Sequence, residues 1–258
     1  MNYLVLIGVL GTGLLAGSFL NLVSDRLKRK ENFVTGRSKC EFCNIELKSL
    51  DLIPVISFLI NKGRCKYCKK KLSPIYPISE ITTSIFYGII YFFLSKNNLG
   101  LEYYLYFYFN FSILLIIFWY DYKFYEIPFS TIILGSSLSL IYRITVLQNI
   151  NSQNFLIELA SWVGIFLFYY LIIIISKGGM GGGDLKLSVY LGIFLGFPNS
   201  IYAIYYGFLV GGIFALILLI SGRKGLKAKI PFGPFLVIGA AISLLIWSFL
   251  YSNINHWK

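Results

Sequence analysis

The chain has 258 residues, of which 57% are hydrophobic and only 13% charged, and its formal net charge is +12. Apolar runs long enough to cross a bilayer recur along nearly its whole length, which excludes a soluble globular domain and points to an integral membrane protein. The positive charge reads as a topology signal and an attraction for anionic lipid, not as a nucleic-acid surface.

A membrane span takes roughly 20 apolar residues. In chain order the sequence predicts Tyr3–Val23, Ile75–Leu94, Leu101–Tyr120, Phe129–Leu147, Phe155–Ser176, Leu185–Phe197, Ile201–Ile220 and Phe232–Tyr251. The expected fold is an all-α polytopic membrane protein with about eight transmembrane helices and a small cytoplasmic module between the first two. Residues 1–23 form the first helix, 24–74 the module and 75–258 the remaining membrane domain. The first span reads as a retained helix, because no basic residue precedes it, its apolar run is long, and no small-residue cleavage pattern follows before Asp25.

Orientation follows from the bases. Ser24–Pro74 carries 13 Lys and Arg against five acids, which places it in the cytoplasm and the N-terminus outside. Counting spans onward puts the loops Asp121–Pro128, Lys177–Asp184 and Gly222–Ile230 on the same side. With Lys186 this gathers 20 of the 23 bases there and leaves Lys96, Arg143 and Lys258 toward the other face.

The module contains all four cysteines, in "RSKCEFCNIELKSLDLIPVISFLINKGRCKYCKKKLSP": Cys40 and Cys43, then Cys65 and Cys68. Two CxxC pairs with 21 residues between them suit a tetrathiolate zinc site, each pair wrapping the ion from a tight knuckle. Flanking Lys and Arg favour ionised thiols. The competing reading is two disulfides, which a reducing cytoplasm disfavours. No ligand position is left open, so the zinc is expected to be structural and to fold a loop too small to build its own core.

Beyond the module the acids are Glu80, Glu102, Asp121, Glu126, Glu158 and Asp184. Asp121 follows the third span in "FWYDYKFYEIPFS", and Asp184 precedes the sixth in "KGGMGGGDLKL". Two spans lie between them, so both emerge on one face. The sixth span holds 13 residues before Pro198, about 20 Å of helix against a hydrocarbon core near 30 Å, so Asp184 is expected to be inset. Glycine suits such a position, where non-helical backbone must pack closely, and an ionisable group at that depth is a functional candidate. Two carboxylates at close range divide into acid and base, as amide hydrolysis requires. Lys123 and Lys186, each two residues after an aspartate, are expected to turn toward lipid headgroups. Glu102 and Glu158 are expected to be solvated at the outer interface, and "LEYYLYFYFNF" to serve an aromatic belt and helix packing. The only histidine, His256, lies in the C-terminal tail on the outer side, so neither a Ser/His mechanism nor an HExxH site is available on the cytoplasmic face.

Taken together these residues resemble the type IV prepilin peptidases, or prepilin leader peptidase/N-methyltransferases, intramembrane aspartic proteases of the GxGD type. The match runs through "GSFLNLVSDRL" (Gly17–Leu27), the tetracysteine stretch into "LSPIYPISEI", Asp121 seven residues before Pro128, "MGGGDLKL" and "PFGPFLVIG" (Pro231–Gly239). The resemblance implies that Asp121 and Asp184 are the catalytic pair and that Cys40, Cys43, Cys65 and Cys68 bind zinc. It implies as substrates type IV prepilins or pseudopilins, cut after a glycine at the cytoplasmic face of a bacterial cytoplasmic membrane. It further implies methylation of the new N-terminus by S-adenosylmethionine. Glu80 and the Gly63–Arg64 turn are candidates for the methyl-donor site. One departure is visible: Phe129 follows Pro128 where the family usually has Asp or Asn, making that helix start less polar. "PFGPF" reads as a helix start with proline in the first turn, with Phe232 and Phe235 as candidates to line a substrate groove. Two rival classes are an ion- or proton-coupled transporter with intramembrane aspartates and a zinc-stabilised membrane methyltransferase whose protease half is idle.

Overall fold

In hydrocarbon every backbone N–H and C=O must find its partner within the protein, and a helix does this within one segment. The computed structural model describes residues 3–32, 36–96, 100–146, 152–177, 179–222 and 229–250. His256, Lys258, Arg223, Lys224 and Lys227 lie outside the described residues. The described elements are helical: α1 (Tyr3–Arg29), a 3-10 turn (Ser49–Leu52), α2 (Ile56–Ile60), α3 (Ile75–Lys96), α4 (Leu101–Phe124), α5 (Phe129–Val146), α6 (Ser152–Ile175), α7 (Gly182–Leu195), α8 (Asn199–Ile220) and α9 (Gly233–Leu250). Among the described residues, α1, α3, α4, α8 and Phe155–Ile175 of α6 are long and apolar enough to cross a membrane; α5 and α9 contain shorter apolar helices. Each of the eight expected spans falls on one of these helices.

The helix ends differ from the expected ones in a way that matters for the site. Hydropathy stops at the first charged residue, but the hydrogen-bond ladder does not. α4 continues through Asp121 to Phe124, where Tyr125 turns left-handed (φ 57°) and donates its N–H to the Asp121 carbonyl. α7 begins at Gly182, so Asp184 sits in its first turn, not ahead of it.

Two compact units result, Met1–Ser95 and Lys96–Lys258. The boundary lies after α3, not at residue 74, because α3 packs on α1. The spacing Gly13-Leu-Leu-Ala-Gly17 makes this possible: a Cβ on Gly13 would stand 2.6 Å from Ser84 Cα, and one on Gly17 would stand 2.6 Å from Glu80 Cα. Small residues four apart let helix backbones approach where lipid supplies no hydrophobic drive. The Ser84 hydroxyl adds a bond to the Leu10 carbonyl at 2.9 Å.

In the second unit α7 is the central helix, touching α5, α6, α8 and α9. Its 14 residues span about 21 Å, so its last carbonyls need partners from neighbouring helices. Trp162 Nε1 of α6 donates to the Gly192 carbonyl at 3.1 Å. Arg143 of α5 donates to those of Ile193 (2.6 Å) and Phe194 (3.2 Å), and Tyr106 Oη of α4 donates to Phe194 at 2.8 Å. Arg143 also pairs with Glu158 at 2.9 Å, the two side chains only 10% and 17% exposed. Glu158 in turn accepts the Phe197 N–H at 3.2 Å. It is therefore not the solvated residue expected, whereas Glu102 is exposed. A second set of bonds fixes the register of α7: Asn110 Oδ1 accepts from Ser139 (2.7 Å) and Tyr190 (2.8 Å), joining α4, α5 and α7. The Tyr and Phe cluster of α4 serves packing, with Tyr106 stacked on Tyr142 at 3.9 Å and Phe107 and Phe111 against Phe194.

α8 and α9 lie closest of all. A Cβ on Gly239 would stand 2.1 Å from the Ala203 carbonyl oxygen and 2.6 Å from Gly207 N. Gly239→Ala is expected to destabilise by about 1–3 kcal/mol or more through overpacking against backbone. The readout is a lowered Tm of the detergent-solubilised protein, with Gly8→Ala, which meets nothing within 4 Å, as the neutral control.

Candidate active site and metal centre

Asp121 occupies the last turn of α4 and is 4% exposed. Its Oδ2 accepts the Gly233 N–H at 2.8 Å. Gly233 is the first residue of α9, where backbone N–H groups have no partner inside the helix and attract an anion. A Cβ on Gly233 would lie 2.8 Å from that same oxygen, so only glycine lets the helix start approach so closely. The sequence drew attention to the neighbouring Phe232 and Phe235. Both pack on α8, their rings each 3.2 Å from where a Gly211 Cβ would stand. The overlooked signal was the glycine between them.

Asp184, half-buried, lies in the first turn of α7, where the helix dipole favours an acid. The glycines before it have distinct roles. A Cβ on Gly181 would stand 3.2 Å from Asp184 Oδ2, and one on Gly183 would stand 3.2 Å from Ile127, whereas Gly182 has open space. Gly178 lies outside the described residues. Met180 anchors the run by packing on the buried cluster of Ile165, Tyr169 and Ile204.

The two aspartates lie within electrostatic range of each other, the charge of Asp121 acting on Asp184. Two hydroxyls join them that sequence reading missed. Tyr169 is fully buried and within electrostatic range of Asp184. Its Oη faces the buried Ser188 Oγ, one turn after Asp184 on the same face of α7, and neither completes a well-formed hydrogen bond among the described residues. Buried polar atoms of this kind call for a water or a ligand group. Lys186 is exposed, and its Nζ sits 4.2 Å above the Phe129 ring, so the residue that makes this helix start less polar carries a cation–π contact.

In the first unit the four cysteine sulfurs lie within 4.8 Å of one another. Cys40 Sγ and Cys68 Sγ are 3.9 Å apart, far beyond a disulfide bond of about 2.05 Å. That separation suits a tetrahedral ion with zinc–sulfur bonds of about 2.3 Å. Each pair forms the same knuckle. Cys40 N–H bonds to Ile45 and Asn44 N–H back to Cys40; Cys65 N–H bonds to Lys70 and Lys69 N–H back to Cys65. Asn44 and Lys69 both turn left-handed (φ 55° and 59°) to close them. Burial pushes the Cys40 thiol up, but the backbone N–H groups of Phe42 and Cys43 outweigh it and bring it to about 7. At Cys40 the backbone, with Cys65 and Cys43, favours the thiolate, whereas Cys43, despite a backbone N–H, is pushed up to about 11 by burial and by Cys40 and Cys68. Asp51 braces the loop between the knuckles. The Tyr67 hydroxyl at 2.9 Å, with Lys48 N–H and Lys66, holds its carboxyl below the usual carboxylate range.

Residues 12–94 match the family model of the bacterial peptidase A24 N-terminal domain, and residues 108–216 match that of the type IV leader peptidase family. The chain belongs to the type IV prepilin peptidase family. The N-terminal match takes in all four cysteines and the second match takes in both aspartates. The chain is similar to the prepilin leader peptidase/N-methyltransferase of Bacillus subtilis, 29% identical over 242 residues that cover 90% of this chain and 91% of that protein. It is 26% identical to that of Aeromonas salmonicida over 277 residues (95% and 90%), and 25% identical to that of Neisseria gonorrhoeae over 275 residues (95% and 92%). No solved structure matches the chain at a significant level.

For a peptidase of this family the Gly233 contact makes a specific demand. In Gly233→Ala the new methyl group displaces the Asp121 carboxylate, the movable partner, so the fold is expected to persist, and if Asp121 acts in cleavage the rate is expected to fall about 100-fold. Purified protein is expected to hold a single zinc by plasma mass spectrometry. Cys65→Ser is expected to lower bound zinc and to open Ser24–Pro74 to limited proteolysis, since site and loop fold together.

Proposed function

We propose that this chain is a membrane aspartic endopeptidase that removes the basic leader from type IV prepilins or pseudopilins and then methylates the new N-terminus. The observation that carries it is the meeting of Asp121 and Asp184 at one end of the α4–α9 unit, inside the segment that matches the leader peptidase family. In this reading one aspartate takes a proton from water, the oxygen attacks the scissile carbonyl carbon, and the other aspartate protonates the leaving amine. The pair, more than either member, owns the protonation states. Gly233 N–H holds one oxygen of Asp121 while the hydroxyls of Tyr169 and Ser188 face the Asp184 side.

Eight membrane helices with the N-terminus outside put this site at the cytoplasmic face of a bacterial cytoplasmic membrane; the 20 of 23 bases gathered on that face support the orientation. The tetracysteine cluster holds a structural zinc. Methylation is supported by the intact cysteine module and by the names of the relatives. S-adenosylmethionine, when bound, supplies the methyl group that the freed amine takes up.

Asp121→Asn and Asp184→Asn keep the side-chain shape and remove the acid–base function. Each is expected to lower the cleavage rate by about 100-fold or more. The assay is mass spectrometry of a prepilin precursor treated with purified protein, with no ion gradient present, reading leader loss and methyl gain in one spectrum. Undiminished cleavage in either variant would sink the aspartate mechanism. No cleavage by the wild-type protein would favour the transporter class.

A further inference from the structure

The stretch between the two cysteine knuckles, Lys48–Lys62, shows more bare hydrocarbon than a water-facing loop does. Leu50, Leu59 and Ile60 are 75%, 67% and 74% exposed, and Leu52, Ile53 and Ile56 are exposed beside them in the chain. Exposed apolar residues gathered in this way, with polar residues around them, mark contact with a membrane or a partner.

α2 divides its residues between two faces. Ser57, Phe58 and Asn61 line a cavity inside the first unit, and the Phe58 ring packs where Gly63 has no side chain. Ile56, Leu59 and Ile60, at the i, i+3 and i+4 positions, share the other face and are exposed. One face is committed to the protein and the other is bare.

Glu80 fixes the level at which the bare face lies. This buried side chain accepts the N–H of Val55, the residue before α2, through Oε2 at 2.7 Å. Val55 is β-branched yet holds φ at 60°, a strained conformation that persists only where the surroundings impose it. Glu80 is the sixth residue of α3, about 7.5 Å inside that helix. The residue against it on α1 is Gly17, where a Cβ would stand 2.6 Å from Glu80 Cα. Gly17 precedes Asp25, the first charge of α1, by eight residues, about 12 Å of helix. Both counts put Glu80 within the apolar length of two helices long enough to cross a bilayer. α2 therefore starts one glutamate side chain away from that level. There α3 also shows exposed apolar residues, Ile78, Ile81 and Ile85.

Charge favours the same partner. Exposed Lys48 and Lys62 bracket the stretch, and Asp51, its only acid, is tied to Tyr67 at 2.9 Å and to Lys66 at 3.3 Å. Lysines at the ends of an apolar strip place their ammonium groups among phosphate headgroups while their stems stay in the boundary region. We propose that Leu50–Ile60 is an interfacial strip, lying in the leaflet that α1 leaves and α3 enters, with Ile56, Leu59 and Ile60 against acyl chains and Lys48 and Lys62 on anionic headgroups. The module then rests on the bilayer along the stretch that separates its knuckles, instead of hanging in water between two spans. Such contact requires α1 and α3 to cross the membrane and requires nothing of the aspartates.

The test uses the full zinc-loaded chain in nanodiscs of phosphatidylethanolamine and phosphatidylglycerol. Leu59 or Ile60 is replaced by the photoreactive residue benzoylphenylalanine, and Glu46, exposed on the first knuckle, is replaced in the control. Irradiation is expected to give phospholipid adducts by mass spectrometry at 59 and 60, about tenfold or more above those at 46, the factor that burial of one leucine-sized side chain supplies. In Leu59→Asp, trypsin cutting after Lys62 is expected to rise by about tenfold or more for the same reason. Bound zinc equal to that of the wild type is the check that this variant is folded. Adducts to protein in place of lipid, whether to another segment, a second copy or an added prepilin, overturn the strip. Adducts at 59 and 60 no higher than at 46, or unchanged cutting in zinc-loaded Leu59→Asp, overturn it equally. If Leu59→Asp loses its zinc, the photoreactive variants, altered only at exposed positions, decide alone.

Discussion

A helix too short for the membrane governs the second unit. α7 has 14 residues, about 21 Å, where the hydrocarbon core is about 30 Å. Its last carbonyls are taken up by neighbouring helices. At the C-terminal end Trp162, Arg143 and Tyr106 take up three successive carbonyls. Arg143, buried for that purpose, requires Glu158 as its counter-charge. At the N-terminal end Asp184 sits in the first turn, within electrostatic range of Asp121. The Tyr190–Asn110 bond fixes the register of α7 against α4. Asp184 stands about 9 Å along α7 from Tyr190, and Asp121 about 16 Å along α4 from Asn110.

Close approach of backbone to backbone is the second recurring device. Lipid removes the hydrophobic drive between helices, so packing and polar contacts must hold them. Gly13 and Gly17 bring α1 onto α3, and Gly207, Gly211 and Gly239 bring α8 onto α9. Gly233 uses the same absence of a side chain for chemistry, letting a helix start touch a carboxylate. The run before Asp184 combines both uses around Met180, the one large side chain that pins it to the core.

What could be read in advance was whatever is local or forced. The eight apolar segments had to be helices, and two CxxC pairs close knuckles through bonds within a few residues, so both were legible. Helix ends at Asp121 and Asp184 were misjudged because hydropathy tracks side chains while the ladder tracks backbone. Glu158 looked solvated because its partner Arg143 is distant in sequence and no periodicity announces the pair. Tyr169 and Ser188 were hidden in plainly apolar stretches, where a hydroxyl reads as packing until its surroundings are known. Gly233 was passed over for the phenylalanines beside it, since bulk draws attention and a missing side chain does not.

The two cysteine knuckles repeat each other bond for bond. Lys39 bridges to Glu46 and Arg64 to Lys71, and Leu47 N–H reaches Ser38 as Leu72 N–H reaches Gly63, each at 2.8 Å. Each half is shaped by its own turn, so a bound ion joins two similar halves and orders the loop between them. The stretch strung between them, from the 3-10 turn through Val55 and Phe58, includes cavity-wall residues and the donor that grips Glu80. An ion held by the four thiolates would act as a clasp on a strap, setting whether the stretch between the knuckles is held taut or hangs loose.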